Sequence, residues 1–260
     1  MSKVQIPLSI VIIAKNEEKY IPLLLKSIRQ QSALVNEIIV ADAESSDKTK
    51  EIALQFGCHV VPGGPPAVGR NSGGVAASSE YMLFLDADMI LPTNHTLLTM
   101  YSRFLVSGAD IASVRFVSHQ RSKKRSFEEK FGDIVYSGWN VLRQVQKVTG
   151  KIVSQGGGCI LVKREVFTQI KGFDTTLAVA EDTDFFKRAV GRGYRYTHFP
   201  DIALYTSARR FSQPKNLPRY FVSTLAVGAL IVLGLYTRKK LVERFSKGYG
   251  KLGGDGKNDN

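Results

Sequence analysis

Three groups of carboxylates stand where an α/β chain tends to gather its chemistry: Asp42, the pair Asp86 and Asp88, and the pair Glu181 and Asp182. The run Phe84-Leu-Asp-Ala-Asp88 ends an apolar stretch in two acids at i and i+2. Carboxylates so close repel one another in a partly buried place, and a hard divalent cation relieves the repulsion. Mg²⁺ or Mn²⁺ typically takes one or two protein carboxylates and fills its remaining positions with phosphate oxygens and water. Asp42 opens the polar stretch Asp42-Ala-Glu-Ser-Ser-Asp47, where an Asp also serves as an ordinary turn former. Glu181, Asp182 and Asp184 put three acids into four positions at the start of a helix-like segment, where the macrodipole favours negative charge. Helix capping is therefore the plain structural reading of that last pair.

Positioning these acids requires a particular order of elements. Strand-like runs at Leu8–Ile13, Glu37–Ala41, Cys58–Val61 and Tyr81–Leu85 alternate with helix-like runs at Lys19–Gln31, through Ala53 to Phe56, and around Arg70–Ser78. A βαβαβα order with short loops implies a parallel sheet with helices on both faces, and ligands of such sheets bind beyond the carboxyl ends of the strands. Asp42, Asp86 and Asp88 fall at those ends. The second half is less regular. Residues 126–149 read as a helix holding Trp139, the only tryptophan; Ser154-Gln-Gly-Gly-Gly158 leads into a strand Cys159–Lys163; Glu181–Val190 reads as a helix. Residues 248–260 read as a disordered tail.

With 43% hydrophobic and 23% charged residues over 260 positions, the chain is far from disordered or collagen-like sequence. Two cysteines, Cys58 and Cys159, make no disulfide framework, so a reducing compartment is the default. The net charge of +13 is unevenly spread: −2 over residues 1–114, +8 over 115–171, 0 over 172–200 and +7 over 201–260. A nucleic-acid module would carry its basic charge differently, and no nucleic-acid partner is expected. The basic run Arg121-Ser-Lys-Lys-Arg125 reads as a solvated loop or as a face toward anionic lipid.

The segment Tyr220–Tyr236 carries no charge over 17 residues, with Arg219 before it and Arg238-Lys-Lys240 after it. That length is at the lower limit for a membrane span, and the basic and aromatic flanks suit a membrane-associating segment that either spans or lies in the interface. A buried helix is the alternative. Ile6 to Ala14 is not a signal peptide, because Lys15-Asn-Glu-Glu18 follows it without a small-residue cleavage pattern. Asn94-His-Thr96 matches a glycosylation sequon that is silent in a chain facing the cytosol.

Five ordered motifs give the sequence a family resemblance: Ser9-Ile-Val-Ile-Ile-Ala-Lys-Asn-Glu17, Asp42-x-x-Ser45-x-Asp47-x-Thr49, Arg70-Asn71-x-Gly73, Phe84-Leu-Asp-Ala-Asp88, and Gly172-Phe-Asp174 leading to Glu181-Asp182. Over about residues 7–210 the chain resembles the family 2 glycosyltransferases of the GT-A fold. The resemblance implies a Rossmann-like, mostly parallel α/β sheet and inverting transfer of a sugar from a nucleotide diphosphate to an acceptor hydroxyl or phosphate. It implies UDP- or GDP-sugar as donor, Mn²⁺ or Mg²⁺ as cofactor, and a lipid-linked or glycan acceptor. Carried over by position, it assigns Ala14, Glu17 and Asp42 to the nucleotide pocket and Arg70 to the nucleotide or its diphosphate. Asp88 becomes the principal metal ligand, and Asp86 the ligand of the donor ribose or of a metal-bound water. Asp182 becomes the general base, with Glu181 orienting the acceptor or supporting Asp182, while Arg209 and Arg210 close over the diphosphate. Gly156-Gly157-Gly158 becomes a wall of the acceptor site or a hairpin bend.

Departures from the family pattern are visible too. Relatives often carry His where Thr206 stands, leaving His198 as the candidate third metal ligand, with a structural role as its alternative. Ala43-Glu44 replaces the usual small-Gly step, and the Gln-x-x-Arg-Trp signature of processive synthases is absent, which favours single-sugar transfer. The expected organisation is a GT-A domain over 1–212, divided into a donor half (1–114) and an acceptor half (115–212). A membrane-associating segment at 213–247 and the tail at 248–260 complete it. The expected location is the cytoplasmic face of a membrane, with the cytoplasm as the alternative. Two other readings compete. A nucleotidyltransferase would show a Gly-rich basic loop after the first strand, where Ala14-Lys-Asn-Glu-Glu18 stands instead. A non-catalytic nucleotide- or lipid-binding protein would not need every acid intact.

Overall fold

The structure is a computed structural model that describes residues 3–118, 127–152 and 158–207, together with residues 233 and 235. Its first strand, β1 (Val4–Ala14), is apolar on both faces, with Ile6, Leu8, Ile10 and Ile12 in one core and Val11 in the other. A strand buried on both sides belongs at the centre of a parallel sheet. β2 (Ala33–Asp42) and β4 (Tyr81–Asp86) flank it in parallel, and β3 (His59–Pro62) adds to β2 in the same direction. The crossovers are α1 (Ile21–Arg29), α2 (Thr49–Gln55) and α3 (Pro66–Ala76).

Beyond β4 the sheet changes character. β7 (Cys159–Lys163) pairs antiparallel with β4 and with β6 (Ile111–Ser118); β8 (Tyr196–Thr206) runs parallel to β6; the two-residue β5 (Met89–Ile90) closes the far edge antiparallel to β8. The order is β3-β2-β1-β4-β7-β6-β8-β5. α4 (Thr96–Ser107) precedes β6, α5 (Phe127–Thr149) follows it, and α6 (Arg164–Gln169) and α7 (Glu181–Gly191) lie between β7 and β8. The antiparallel pairings of β7 and β5 are the minority in a mostly parallel sheet, and they lie outside the βαβαβα half whose strands all run parallel. The alternation rule applies only where a crossover helix joins neighbours, and β4 and β7 are joined through 72 intervening residues instead.

Smaller differences have local causes. The third helix starts at Pro66 rather than near Arg70, because a proline at the first helical position is pre-set for the helix and gives up no needed donor. β8 was not anticipated, because Pro200-Asp201 interrupts its pattern and the register against β6 shifts between Val114 and Arg115. Arg121–Arg125, Gly156, Gly157, Arg209, Arg210, Tyr220–Tyr236 and the tail lie outside the described residues. Among the described residues no helix is long and apolar enough to cross a membrane.

Candidate active site

Register brings the acids together. In the β1–β2 ladder Ala14 stands opposite Asp42, and in the β1–β4 ladder Ile13 stands opposite Asp86, so three strands end in one row. The loops leaving β1 and β2 then clasp each other. Asn16, at φ 54°, donates its N–H to Ser45 Oγ (2.9 Å) and accepts from Ser46 N through Oδ1 (2.8 Å). Glu17 N donates to Thr49 Oγ1 (2.7 Å), and Glu18 N to Asp47 Oδ2 (3.0 Å). Burial opposes ionisation of Asp47, but the hydrogen bonds from Thr49 and Glu18 outweigh it and hold the carboxyl below the ordinary range.

Within this clasp Asp42 is buried. Its Oδ2 accepts the Ser45 N–H at 3.1 Å, the Asx turn that its sequence context allowed. Its Oδ1 is also buried and has no hydrogen-bond partner among the described residues. Such an oxygen is costly unless a donor meets it, and the N–H edge of a nucleotide base is a fitting donor. Ala14 and Glu17, both buried, border the same strand ends.

Arg70 lies at the centre. Gly69 and Gly73 let α3 press onto β1: a Cβ at Gly73 would come within 2.3 Å of Val11 Cγ1. The close approach drives Arg70 inward until it is 4% exposed. Its Nη1 binds Glu181 Oε1 at 2.5 Å and its Nη2 binds Asp86 Oδ1 at 3.1 Å, while its guanidinium lies 5.6 Å from the Phe173 ring centre. Desolvation would lower its pKa, but Asp86, Glu181 and Asp182 raise it further, so the cation is secure. The guanidinium assigned to the diphosphate thus spends both terminal nitrogens on carboxylates here. Phe173 is fixed in turn: Asn71 accepts from Phe173 N (2.7 Å) and donates to Phe173 O (2.8 Å), and Phe185 stacks on the ring at 4.2 Å.

The capping reading divides the pair: Glu181 does not cap its own helix, whereas Asp182 accepts a backbone N–H of the first turn. The residue before α7 is Ala180, at φ 63°, whose own side chain gives no cap. Glu181 turns to Arg70, and Asp182 Oδ1 accepts its neighbour's Thr183 N–H at 2.6 Å. An Ala in the left-handed region is strained, and it stands where the chain turns Glu181 toward Arg70 and, through it, Asp86 at the end of β4.

Asp86 also leans on β7. Its N–H donates to Gly158 O at 2.9 Å, and a Cβ at position 158 would sit 2.0 Å from the Asp86 Cγ. Gly158 is therefore a close-packing position against the acid. Two residues on, Asp88 is 6% exposed in the turn before β5, and the pairing of Met89 with Thr206 puts the Thr206-Ser207 end of β8 beside it. Asp86 and Asp88 offer only hard oxygen atoms, the donor chemistry that suits Mg²⁺ or Mn²⁺. Among the described residues no group of three or more His, Cys, Asp or Glu side chains is placed to hold a metal ion.

His198 is not brought to that place. It pairs with Ser113 at the far end of the β6–β8 ladder, five β6 residues from the Ser118–Thr206 pair, or roughly 16 Å along the strand. There it is fully buried with Nδ1 3.0 Å from Ser113 Oγ, and desolvation, then the Arg143 cation, push its pKa down to about 4. It is a structural histidine.

Arg143 is a residue that sequence reasoning missed. It lies on the inner side of α5, 1% exposed, 4.6 Å from the Phe116 ring centre, with Nη1 3.0 Å from Asn140 Oδ1. Desolvation lowers its pKa to about 10, against the pull of Tyr196, Asp182 and Cys159. An arginine inside an amphipathic helix looks like any surface cation in sequence, so only its neighbours reveal it.

The likeness to known proteins follows this geometry. A 99-residue stretch is 39% identical to the 4,4'-diaponeurosporenoate glycosyltransferase of Staphylococcus haemolyticus; it covers 35% of this chain and about a quarter (26%) of that protein. The fold is shared with a mannosyltransferase from Pyrobaculum calidifontis, solved with GDP-Man and Mn²⁺ (TM-score 0.66, 17% identity, 93% of this chain and 73% of that one). It is shared too with S. aureus TarS 1-349, solved with UDP (TM-score 0.60, 18% identity, 92% and 70%). The α/β, mostly parallel sheet and helices expected of a GT-A fold are thus present. The model of glycosyl transferase family 2 matches residues 9–171, a span holding the clasped loops, Arg70, Asp86 and Asp88, and the chain belongs to that family.

Proposed function

We propose that the chain is an inverting glycosyltransferase that moves one sugar from a nucleotide diphosphate sugar to an acceptor hydroxyl or phosphate at a membrane. The observation that carries this reading is the convergence of Asp86, Glu181 and Asp182 on one buried arginine, with Asp42 at the carboxyl end of β2 and Asp88 just beyond that of β4. Complexes of fold relatives with GDP-Man and Mn²⁺, and with UDP, support a nucleotide-sugar donor. The buried Oδ1 of Asp42 receives the base, with Ala14 and Glu17 bordering it. A divalent cation held by Asp88 and Asp86 would supply positive charge to the diphosphate as it leaves.

The protein's own groups do the rest. The Asp182 carboxylate takes the proton of the acceptor hydroxyl. The freed acceptor oxygen attacks the anomeric carbon on the face opposite the diphosphate, whose C–O bond breaks with the electron pair going to the leaving group. Configuration therefore inverts. Arg70 and Glu181 brace the acids: the guanidinium holds Asp86 on one side and the start of α7 on the other, so donor and base stay in one frame. Residues 1–212 form the catalytic domain, with donor recognition in 1–114 and the acceptor in 115–212. The apolar segment within 213–247 holds the chain to the cytoplasmic face of a membrane. The S. haemolyticus relative, named for the glycosylation of 4,4'-diaponeurosporenoate, is consistent with a small non-peptide acceptor.

The test is a melting screen of GDP- and UDP-sugars with and without Mn²⁺, followed by turnover. A donor at about 100 times its Kd adds about 2.7 kcal/mol and raises the melting temperature by several degrees. Asp182→Asn should keep that shift and lose turnover by about 10²–10⁴-fold. Full turnover by Asp182→Asn and Asp88→Asn would sink the assignment.

A further inference from the structure

α5 carries a face that nothing in the described structure covers. At 3.6 residues per turn, Ile134, Gly138, Val141, Val145 and Val148 fall within an arc of about 80°. The four larger side chains on this arc are 70%, 66%, 51% and 83% exposed. The opposite side of the helix is committed to the domain. Asn140 spans Phe116 N and O, Asp133 accepts Ser118 N, Tyr136 packs on the core, and Arg143 and Gln146 are buried. Scattered exposed valines need no explanation, but a continuous β-branched stripe along about four turns of an outer helix face does. Helix propensity does not supply one, since Val and Ile are mediocre helix formers.

We infer that this stripe is a docking surface for an anionic lipid bilayer. Charge selects that occupant. Lys130 lies on the same arc and is exposed, Lys151 is exposed just past the helix, and the arc between them holds no acid. In sequence the helix directly follows Arg121-Ser-Lys-Lys-Arg125, within a region of net charge +8. A second protein copy would meet the same positive charge and be repelled, whereas acidic headgroups are attracted and the apolar stripe enters the acyl boundary. Position agrees. α5 starts beyond the carboxyl end of β6, on the acceptor half, and the Arg143 on its inner side is close enough to Asp182 for each to feel the other's charge. The helix would thus lie between bilayer and base, so that an acceptor anchored in lipid need not leave the membrane. That consequence rests on the membrane-proximal acceptor proposed above; the docking itself does not.

The test places an environment-sensitive dye on Val145→Cys in the full chain, where Cys58 and Cys159 are buried and escape labelling. Vesicles of phosphatidylcholine with phosphatidylglycerol should shift the dye to the blue, and pure phosphatidylcholine should need at least ten times more lipid. Unlabelled Val141→Glu/Val145→Glu should keep its melting temperature and lose tenfold or more in partitioning to the anionic vesicles. A dye that does not respond to vesicles overturns the proposal even if the chain pellets with them through residues 220–236. So does a dye already blue without lipid, which would mark coverage by the chain's own apolar segment, or a shift that grows with protein concentration, which would mark a second copy. An equal response to neutral vesicles overturns the anionic assignment. None of these readings needs turnover, so failure here leaves the transferase reading standing.

Discussion

Arg70 holds two carboxylates that lie far apart in the sequence, Asp86 and Glu181, and its chemistry decides what can replace it. Lys could supply the charge but not two directed donors in a plane. Arg70→Gln leaves Asp86 and Glu181 facing each other with their cation gone. Both acids keep some solvent, at 21% and 15% exposure, so the loss is expected at about 2–3 kcal/mol, at or below the low end for breaking a buried pair. Urea unfolding of Arg70→Gln, Glu181→Gln and the double variant checks this, because the double variant should be less destabilised than the two single losses summed. At this scale the acids themselves were legible from sequence: the resemblance named Asp42, Asp86, Asp88, Glu181 and Asp182. Their connections were not. Glu181 follows Arg70 by 111 residues, and no local pattern tells whether an acid at a helix start caps its own helix or turns to a distant guanidinium. Arg143 escaped for the same reason, and His198 was legible only as a choice between metal ligand and structural residue, since burial of a polar side chain is a property of its neighbours.

Two glycines separate what an element needs for packing from what it needs for the site. A Cβ at Gly73 would meet Val11 Cγ1 at 2.3 Å between α3 and β1, where Val11 is fully buried and has no room to yield. Gly73→Ala is therefore expected to cost about 1–3 kcal/mol, read as a fall in melting temperature. A Cβ at Gly158 would instead meet Asp86 at its Cγ (2.0 Å), Oδ2 (2.1 Å) and Cβ (2.6 Å), so the acid and its attachment must shift together and its contact with Arg70 is lost. Gly158→Ala should thus fall in melting temperature and also lose turnover by about 100-fold, since displacing a group by 1 Å is enough for that. Full turnover by folded Gly158→Ala would contradict the distinction. The same elements explain how far the fold could be read. β1, β4 and β7 are short apolar runs with clear ends, and sequence places them within a few residues. β5 has two residues and β8 is broken at Pro200-Asp201, so neither has the uninterrupted alternation that marks a strand. Their place is set by pairing with each other and with β6, which is tertiary information.

For the whole molecule, acid is the condition that best exposes a buried group outside the site. His198 is fully buried between β6 and α5, with Ser113 Oγ at Nδ1 and the Arg143 cation nearby, and its pKa falls to about 4 through desolvation first and that cation second. In the unfolded chain a histidine titrates near 6.5. Above that pH neither state binds the proton, and stability owes nothing to the titration. Between about 6.5 and about 4 the unfolded chain is protonated and the folded chain is not, so every step toward acid favours unfolding, by at most about 1.4 kcal/mol per pH unit. The whole window is worth on the order of 3 kcal/mol. Carboxylates held below their ordinary range, such as Asp47 and Asp110, give up their stabilisation only as the pH falls below about 4, so the two effects separate on the pH axis. His198→Asn keeps an amide near the Nδ1 position for Ser113 and cannot titrate. Its unfolding free energy, measured in urea from pH 7 to pH 4.5, should run flatter than that of the wild type by most of that amount. Parallel curves would mean that His198 takes up a proton in the folded protein as readily as in the unfolded one.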